Sequence, residues 1–149
     1  MKLEDFSDAA LVVLGHGTTQ NAESAAPVFQ HAAELRRRRC FAVVREGFWK
    51  QEPRVGGVLS NLTERRVFLA PLFISDGLHV RQDIPVLLGE PARSVQQRVQ
   101  NGQPTWRNPT ERHGKLVWYA PSVGTDPLVA DVILERVREG ATGSMKDEG

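Results

Sequence analysis

The sequence predicts an α/β domain in which helices cover both faces of a four-stranded, doubly wound parallel sheet. The first observation is a set of short apolar runs, which are typical of strands buried on both faces. The second is that longer amphipathic stretches separate these runs, and this alternation indicates βαβ units. The four predicted strands are Ala10–Leu14, Phe41–Val44, Val67–Pro71 and Lys115–Ala120.

The predicted helices carry apolar residues at helical spacing. In the first helix, Val28, Ala32 and Leu35 recur along one face, and polar residues occupy the other. Gly140 follows the last helix as a stop signal. The predicted helices are Pro27–Arg39, Pro53–Leu62, Asp83–Gln100 with a break at Glu90-Pro91, and Asp126–Glu139.

Length and composition favour one globular domain. The chain has 149 residues, of which 40% are hydrophobic and 25% charged, and it contains neither an internal repeat nor a long linker. We expect residues 1–142 to form the domain and residues 143–149 to form a flexible tail. A single cysteine excludes an internal disulfide framework and a zinc ribbon.

Charge and hydropathy exclude several function classes. The 19 Lys and Arg residues nearly balance 18 Asp and Glu residues, so we expect no nucleic-acid partner. The basic run Arg36–Arg39 is interpreted as a solvated helix end. No apolar run approaches the roughly 18 residues that cross a bilayer, and the acidic opening segment is no signal peptide. We therefore expect no membrane partner and a location in the cytoplasm.

In such a sheet, ligands bind beyond the carboxyl ends of the strands. The loops expected at this edge are Gly15–Gln20, Glu46–Glu52, Leu72–Asp83 and Pro121–Asp126. The long segment Asn101–His113 is expected at the opposite edge, where its role stays open. Trp106 within it is interpreted as a packing or partner-surface residue.

Two histidines are expected to converge at the ligand-binding edge. His16 lies in Gly15-His16-Gly17-Thr18 directly after the first strand, and His79 follows the third. Neutral imidazoles bind divalent metals and accept protons near neutral pH. The alternative for His16 is a turn histidine bonded to its own loop. His31 and His113 are interpreted as surface residues, and Asp83 as the cap of the following helix.

The ordered pair of motifs resembles the small sirohydrochlorin cobaltochelatases, which are class II tetrapyrrole chelatases. The resemblance extends from about Leu11 to Val137. It rests on Gly15-His16-Gly17-Thr18, on the segment Gly77-Leu78-His79-Val80-Arg81-Gln82-Asp83-Ile84-Pro85, and on Tyr119-Ala120-Pro121-Ser122-Val123-Gly124. It implies a half-size chelatase (a lyase) that forms a homodimer. The implied reaction inserts a divalent metal into sirohydrochlorin for cobalamin or related tetrapyrrole biosynthesis. Co²⁺ is the expected metal, with Fe²⁺ and Ni²⁺ as alternatives.

The resemblance also implies residue roles. His16 would accept a pyrrole proton and bind the metal, and His79 would be the second metal ligand. Lys50 and Arg81 would meet the carboxylates of the macrocycle. The other residues expected to border the substrate are Gly17, Thr18, Ile74, Ser75, Asp76, Gly77 and Leu78.

One segment departs from the family pattern. Family members carry an acid two residues after the phenylalanine, where this chain has Lys50 after Phe48. Glu46 would share a face with both residues if the strand continues, so Glu46 is the favoured catalytic carboxylate. Glu52 would take this role if one residue is deleted here, and either glutamate could instead be a plain surface carboxylate.

Other functions compete with metal insertion. Because Lys50 stands where family members carry an acid, one alternative hypothesis is a noncatalytic tetrapyrrole or metal carrier with the same fold. A chelatase for another metal or macrocycle is a further alternative. A histidine phosphatase is disfavoured because Gly15 stands where those enzymes carry an arginine that holds phosphate.

Overall fold

The structure, a computed structural model, describes residues 5–18 and 22–143 and forms strands and helices in alternation. The strands are β1 (Ala9–Gly15), β2 (Val43–Phe48), β3 (Arg66–Pro71), β4 (Thr110–Arg112) and β5 (Lys115–Tyr119). The α-helices are α1 (Ala26–Arg38), α2 (Val55–Asn61), α3 (Ile84–Leu87), α4 (Ala92–Gln100) and α5 (Pro127–Ala141). Short 3₁₀ turns at Ala22–Ala25 and Val123–Thr125 precede α1 and α5, and a π-helical turn at His79–Asp83 precedes α3.

The sheet confirms the predicted α/β class. Its strand order is β2-β1-β3-β5-β4, and β2, β1, β3 and β5 run parallel. These four correspond to the predicted strands. The chain steps from β1 to β2 on one side and then returns to β3 on the other side of β1. The crevice beyond β1 and β3 is therefore the point at which such sheets bind ligands.

Two strand assignments differ from prediction. β4 lies in the segment predicted as a loop and pairs antiparallel with β5. His113 (φ 52°) and Gly114 (φ 74°) form the left-handed, two-residue turn that this hairpin requires. β2 starts and ends later than predicted, and it includes Arg45 and Glu46. Both strands are edge strands with one side open to solvent, so neither needs a continuous apolar run.

The residues of β1 alternate between two layers of the core. Ala10, Val12 and Leu14 face a cluster that includes residues of α2 and α3. Leu11 and Val13 face the other layer, which α1 covers. This burial on both faces explains why β1 reads as a continuous apolar run.

The α1 side of the sheet is only half covered at β3 and β5. Phe68 of β3 and Trp118 of β5 stack at a centroid distance of 4.8 Å and are partly exposed. No α5 residue is buried, although the helix carries a set of exposed apolar side chains. These are Leu128, Val132, Ile133, Leu134 and Val137.

Some predictions concern residues outside the described ranges. The predicted tail, residues 143–149, lies outside them apart from Gly143, as do residues 1–4 and 19–21. Between residues 5 and 143, the described helices include none that is long and apolar enough to cross a membrane.

Candidate metal and tetrapyrrole site

His16 projects from the end of β1 because two glycines shape its turn. A Cβ on Gly15 would lie 2.5 Å from Val28 Cγ2, so the strand end has room only for glycine. Gly17 has φ +73°, a left-handed conformation that glycine adopts without strain. The His16 side chain is consequently exposed in the crevice.

The loop after β2 runs alongside His16. The Trp49 N–H donates to the Gly15 carbonyl (3.1 Å), and the Lys50 N–H donates to the His16 carbonyl (2.8 Å). The pairing of β1 and β2 thus continues beyond both strands. It places the Trp49 indole 5.1 Å from the His16 ring, measured between centroids. Trp49 was not among the residues expected at the site.

His79 reaches the same place from the π-helical turn after β3. Its ring centroid lies 5.6 Å from that of His16 and 4.9 Å from that of Trp49. An imidazole bound to a first-row ion through Nε2 has its ring centre about 3.2 Å from the ion, since the bond is about 2.1 Å. Two such rings lie at most about 6.4 Å apart. One ion can therefore contact both histidines.

The hydrogen bonds of both imidazoles involve Nδ1 and not Nε2. His16 Nδ1 lies 2.7 Å from the Gly17 carbonyl oxygen, and His79 Nδ1 lies 2.8 Å from Asp83 Oδ2. A carbonyl or carboxylate oxygen accepts a hydrogen bond, so each Nδ1 carries the proton and donates it. The lone pair of each neutral ring is then on Nε2. Both lone pairs are available to a metal or a proton.

A cavity of about 440 Å³ adjoins His16 on the α1 side. Gly17, Thr18 and Ile74, three of the residues expected to border the substrate, line it. His31, which is exposed as predicted, lines it as well. Its position on α1, one turn after Val28, was a signal that could have placed it near the crevice. Most of the remaining lining is apolar.

The loop between β3 and His79 is held against the segment after β5. The Gly124 N–H donates to the Phe73 carbonyl (3.0 Å), and the Ser122 N–H donates to Asp76 Oδ1 (3.0 Å). Asp76 therefore orders the loop through one of its oxygens. Ile74 and Leu78 project from the same loop with 80% and 62% of their surface exposed. They form an apolar rim beside the histidines, and Ser75 and Gly77 between them are exposed too.

The structure corrects the placement of the expected catalytic carboxylate. Glu46 Oε2 accepts a hydrogen bond from Arg36 of α1 at 2.6 Å, and the Glu46 side chain is only 14% exposed. Glu46 shares a face with Phe48, and Phe48 belongs to the core layer under α1. Its carboxylate is therefore turned toward α1 and not toward the histidines. Lys50 lies beyond the end of β2, so the expectation that it shares a strand face with Glu46 is not met.

The other residues of the altered segment lie around Trp49. The Lys50 ammonium sits 4.1 Å from the centre of the Trp49 ring, a cation–π contact at the mouth of the site. Glu52 is exposed, and one of its oxygens accepts a hydrogen bond from the Arg54 N–H at 3.2 Å. Neither Glu46 nor Glu52 is hydrogen-bonded to a site histidine.

Asp83 is the carboxylate that contacts a site histidine, although it was expected to cap the following helix. It has helical φ and ψ values and makes no side-chain cap hydrogen bond, so it does not cap α3. Its distance of four residues from His79 was the available signal, since such pairs share one helix face. The described residues contain no cluster of three or more His, Cys, Asp or Glu side chains arranged to hold a metal ion.

The segment predicted at the opposite edge also reaches the site edge. Because β4 runs antiparallel to β5, the residues before β4 lie beside the carboxyl end of β5. Asn108 exchanges two hydrogen bonds with the backbone of Tyr119, at 2.9 and 2.7 Å. Trp106 is buried and donates to the Val117 carbonyl, so it is a packing residue. Together with Asp76 and Arg81, this segment lines a second cavity of about 330 Å³.

The parallel sheet with paired histidines at its crevice defines a domain of the chelatase type. The chain belongs to the CbiX family, whose sequence model matches residues 10–140. This family membership confirms the resemblance found in the motifs.

Two curated relatives illustrate the family. The chain is 35% identical over 137 residues to a protein of Halobacterium salinarum named "Probable sirohydrochlorin cobaltochelatase", with 91% of this chain and 44% of that protein covered. It is 31% identical over 137 residues to the "Sirohydrochlorin cobaltochelatase" of Methanosarcina barkeri, with 87% and 94% covered. The chain thus spans less than half of the first relative and nearly all of the second.

Solved structures share the fold. A multi-domain protein of Deinococcus radiodurans, described as structurally similar to chelatases, matches with a TM-score of 0.72 and 27% identity. That match covers 91% of this chain and 29% of the other. The sirohydrochlorin chelatase SirB of Bacillus subtilis subspecies spizizenii, solved with cobalt, has a TM-score of 0.58 and 16% identity, with 88% and 50% covered. At that identity the likeness concerns the fold alone.

Proposed function

We propose that this chain inserts Co²⁺ into sirohydrochlorin. The observation that carries the proposal is the pair of imidazoles with open Nε2 atoms, at a centroid separation that one ion can bridge. The curated relatives are named as sirohydrochlorin cobaltochelatases, which supports both the substrate and cobalt as the metal. Fe²⁺ and Ni²⁺ also accept imidazole ligands and are the alternatives to test.

The two histidines can serve the metal and the protons in turn. His16 and His79 first hold Co²⁺ through Nε2, and the remaining coordination positions stay open to the nitrogens of the macrocycle. Insertion releases two pyrrole N–H protons as the metal forms bonds to those nitrogens. Each imidazole that loses the metal regains a free Nε2 lone pair, which can accept one of the protons. His16, beside the large cavity, is the acceptor that we favour.

The surroundings fit a large, flat anionic substrate. Ile74 and Leu78 offer an exposed apolar rim on which a macrocycle can rest. The Lys50 ammonium contacts the Trp49 ring beside the histidines, and the exposed Arg81 lies two residues after His79. These cations are suited to the carboxylate arms of sirohydrochlorin. Gly17 and Thr18 line the cavity that would receive one edge of the ring.

An absorbance assay with sirohydrochlorin and Co²⁺ tests the proposal. His16→Ala and His79→Ala should each slow insertion by about 10²-fold to 10⁴-fold, the usual effect of losing a positioned acid or base. His113→Asn is the matched control, because His113 lies in the β4–β5 turn and asparagine tolerates positive φ. Full activity in a folded His16→Ala variant would contradict the mechanism. Binding of both sirohydrochlorin and Co²⁺ without insertion would favour the noncatalytic carrier.

The half-covered sheet and the exposed helix support a homodimer. The described residues bury none of the apolar side chains of α5, and the stacked rings of Phe68 and Trp118 are partly exposed. In a dimer in which each α5 covers the sheet of the other copy, the apolar face of α5 and the Phe68–Trp118 surface would each gain a partner. The relative from M. barkeri is of similar length, whereas this chain covers half of SirB. A fused second half could take the place of the second copy in such longer chains.

Light scattering tests the dimer. Ile133→Glu places a charge on the apolar face of α5 and should give a monomer at micromolar concentration. Asp131→Asn changes a neighbouring exposed residue outside that apolar set and should leave the dimer intact. A monomeric parent protein, or an unchanged dimer in Ile133→Glu, would refute this assignment.

A location in the cytoplasm stays a prediction that fractionation of cells can test.

A further inference from the structure

The two site histidines differ in the group that holds Nδ1. A neutral backbone carbonyl accepts from His16, whereas the carboxylate of Asp83 accepts from His79. We infer that Asp83 is a positioning residue, which keeps His79 in the Nδ1–H tautomer and aims its Nε2 at the metal. The expected effect of Asp83 on metal binding rests on the proposed function. The tautomer of His79 is a property of the metal-free protein and is independent of that proposal.

The backbone of the π-helical turn is anchored, but the His79 ring is not. Val80 directly follows His79, Ile84 directly follows Asp83, and both are buried in the core. The Tyr119 hydroxyl also donates to the Val80 carbonyl at 3.0 Å. By contrast, the His79 side chain is 59% exposed. Rotation about its side-chain bonds would point Nε2 away from His16, so a local restraint is required.

Asp83 provides this restraint from the same helix face. The Nδ1–Oδ2 distance of 2.8 Å is that of a charge-assisted hydrogen bond, which is stronger than a bond to a neutral acceptor. The Asp83 side chain is 37% exposed and thus partly shielded from competing water. The Trp49 ring limits the rotation of the His79 imidazole on another side, at a centroid distance of 4.9 Å. Together these contacts leave Nε2 as the free nitrogen in the crevice.

The tautomer matters because free neutral imidazole favours a proton on Nε2. With that tautomer, the ligand atom facing the crevice would be blocked by a proton, and binding a metal would first require its transfer. A carboxylate behind a metal-binding histidine removes this step and also raises the basicity of the ligand. Loss of such partners commonly weakens metal binding by about 10-fold to 100-fold.

The first test reads the tautomers in the metal-free protein. Long-range ¹H–¹⁵N correlation spectra of ¹⁵N-histidine-labelled protein, at a pH where both rings are neutral, should show Nδ1–H for His16 and His79. Asp83→Ala should move His79 toward the Nε2–H form and leave His16 unchanged, because Gly17 still accepts from it. Asp83→Asn keeps an acceptor oxygen and should restore Nδ1–H. A His79 that stays in the Nδ1–H form in Asp83→Ala would overturn the inference.

The second test measures Co²⁺ binding by calorimetry and by quenching of Trp49 fluorescence. Asp83→Ala should raise the Kd for Co²⁺ by about 10-fold to 100-fold, and Asp83→Asn should recover part of this loss. Asp83→Leu removes the acceptor while it keeps a branched side chain beside the imidazole, and it should match Asp83→Ala, which keeps the test decisive if one variant folds poorly. Asp8→Asn is the control, since Asp8 pairs with Arg66 at 2.7 Å outside the site.

The outcomes separate this inference from the proposed function. If His79→Ala abolishes Co²⁺ binding while Asp83→Ala leaves the Kd unchanged, Asp83 is not a positioning residue and the proposed function stands. If His79→Ala binds Co²⁺ like the parent protein, the assignment of His79 as a ligand fails. A shifted tautomer together with a weakened Kd in Asp83→Ala, both restored in Asp83→Asn, supports the inference.

Discussion

Gly124→Ala probes how the segment after β5 supports the substrate-binding rim. A Cβ on Gly124 would lie 1.7 Å from the Ile74 carbonyl oxygen, and it would also meet two other backbone atoms of Ile74 within 2.3 Å. These are backbone atoms, so no side-chain rotation relieves the clash. To reach the 3.0 Å below which real Cβ contacts are essentially never seen, the two segments must separate by about 1.3 Å.

That separation breaks the hydrogen bonds between the two segments. The Gly124 N–H would lose the Phe73 carbonyl, and the Ser122 N–H would lose the Asp76 carboxylate. Overpacking of this kind costs about 1–3 kcal/mol, and each lost hydrogen bond adds about 0.5–1.5 kcal/mol, so the free energy of unfolding should decrease by about 2–6 kcal/mol. Ile74 would move with the loop, so the KM for sirohydrochlorin should rise.

Chemical denaturation and a KM measurement check this prediction together. Gly57→Ala is the matched control, because a Cβ there meets nothing within 4 Å and Gly57 lies exposed in α2. It should stabilise the protein by about 0.5–1 kcal/mol. The Kd for Co²⁺ should stay near the parent value in Gly124→Ala, since buried neighbours hold the backbone at His79. Parent-like stability and KM in Gly124→Ala would refute the account of this contact.

The remaining predictions concern residues beside the site. Glu46→Gln and Glu52→Gln should both leave the insertion rate within about twofold of the parent. The reason is that Glu46 is held by Arg36 on the α1 side, Glu52 is exposed, and neither is hydrogen-bonded to a site histidine. A large loss in either variant would restore that glutamate to catalysis. Tyr119→Phe removes the hydrogen bond to Val80 and should lower the free energy of unfolding by about 0.5–1.5 kcal/mol in denaturant melts. Burial, and secondarily the charge of Asp76, raises the pKa of Tyr119, so the folded state favours the neutral phenol. That stabilisation is complete below the ordinary phenol pKa of about 10 and is lost as the pH rises above it. The parent should therefore lose stability faster than Tyr119→Phe above pH 10, and equal slopes would contradict the burial.

The apolar runs predicted the interior of the fold well. β1, β3 and β5 fall within one or two residues of their predicted bounds, and the break before α4 lies at Glu90-Pro91 as expected. All three are interior strands with a paired strand on each side, so their hydrophobic pattern is sufficient to mark them. The hydrophobic pattern gave wrong bounds for β2 and did not predict β4, because strands at a sheet edge tolerate charged residues.

The sequence by itself determined that His16 and His79 lie at the same edge of the sheet, because parallel strands place their carboxyl ends there. The strand order, which the structure supplies, puts β1 beside β3 and makes the two loops neighbours. Only the tertiary structure decided the partners of each side chain. Arg36 binds Glu46 across ten residues of chain, and Trp49 reaches both histidines through pairing beyond the ends of β1 and β2. Such partners depend on distances of a few ångströms between separate elements, and residue type and spacing along the chain do not specify those distances.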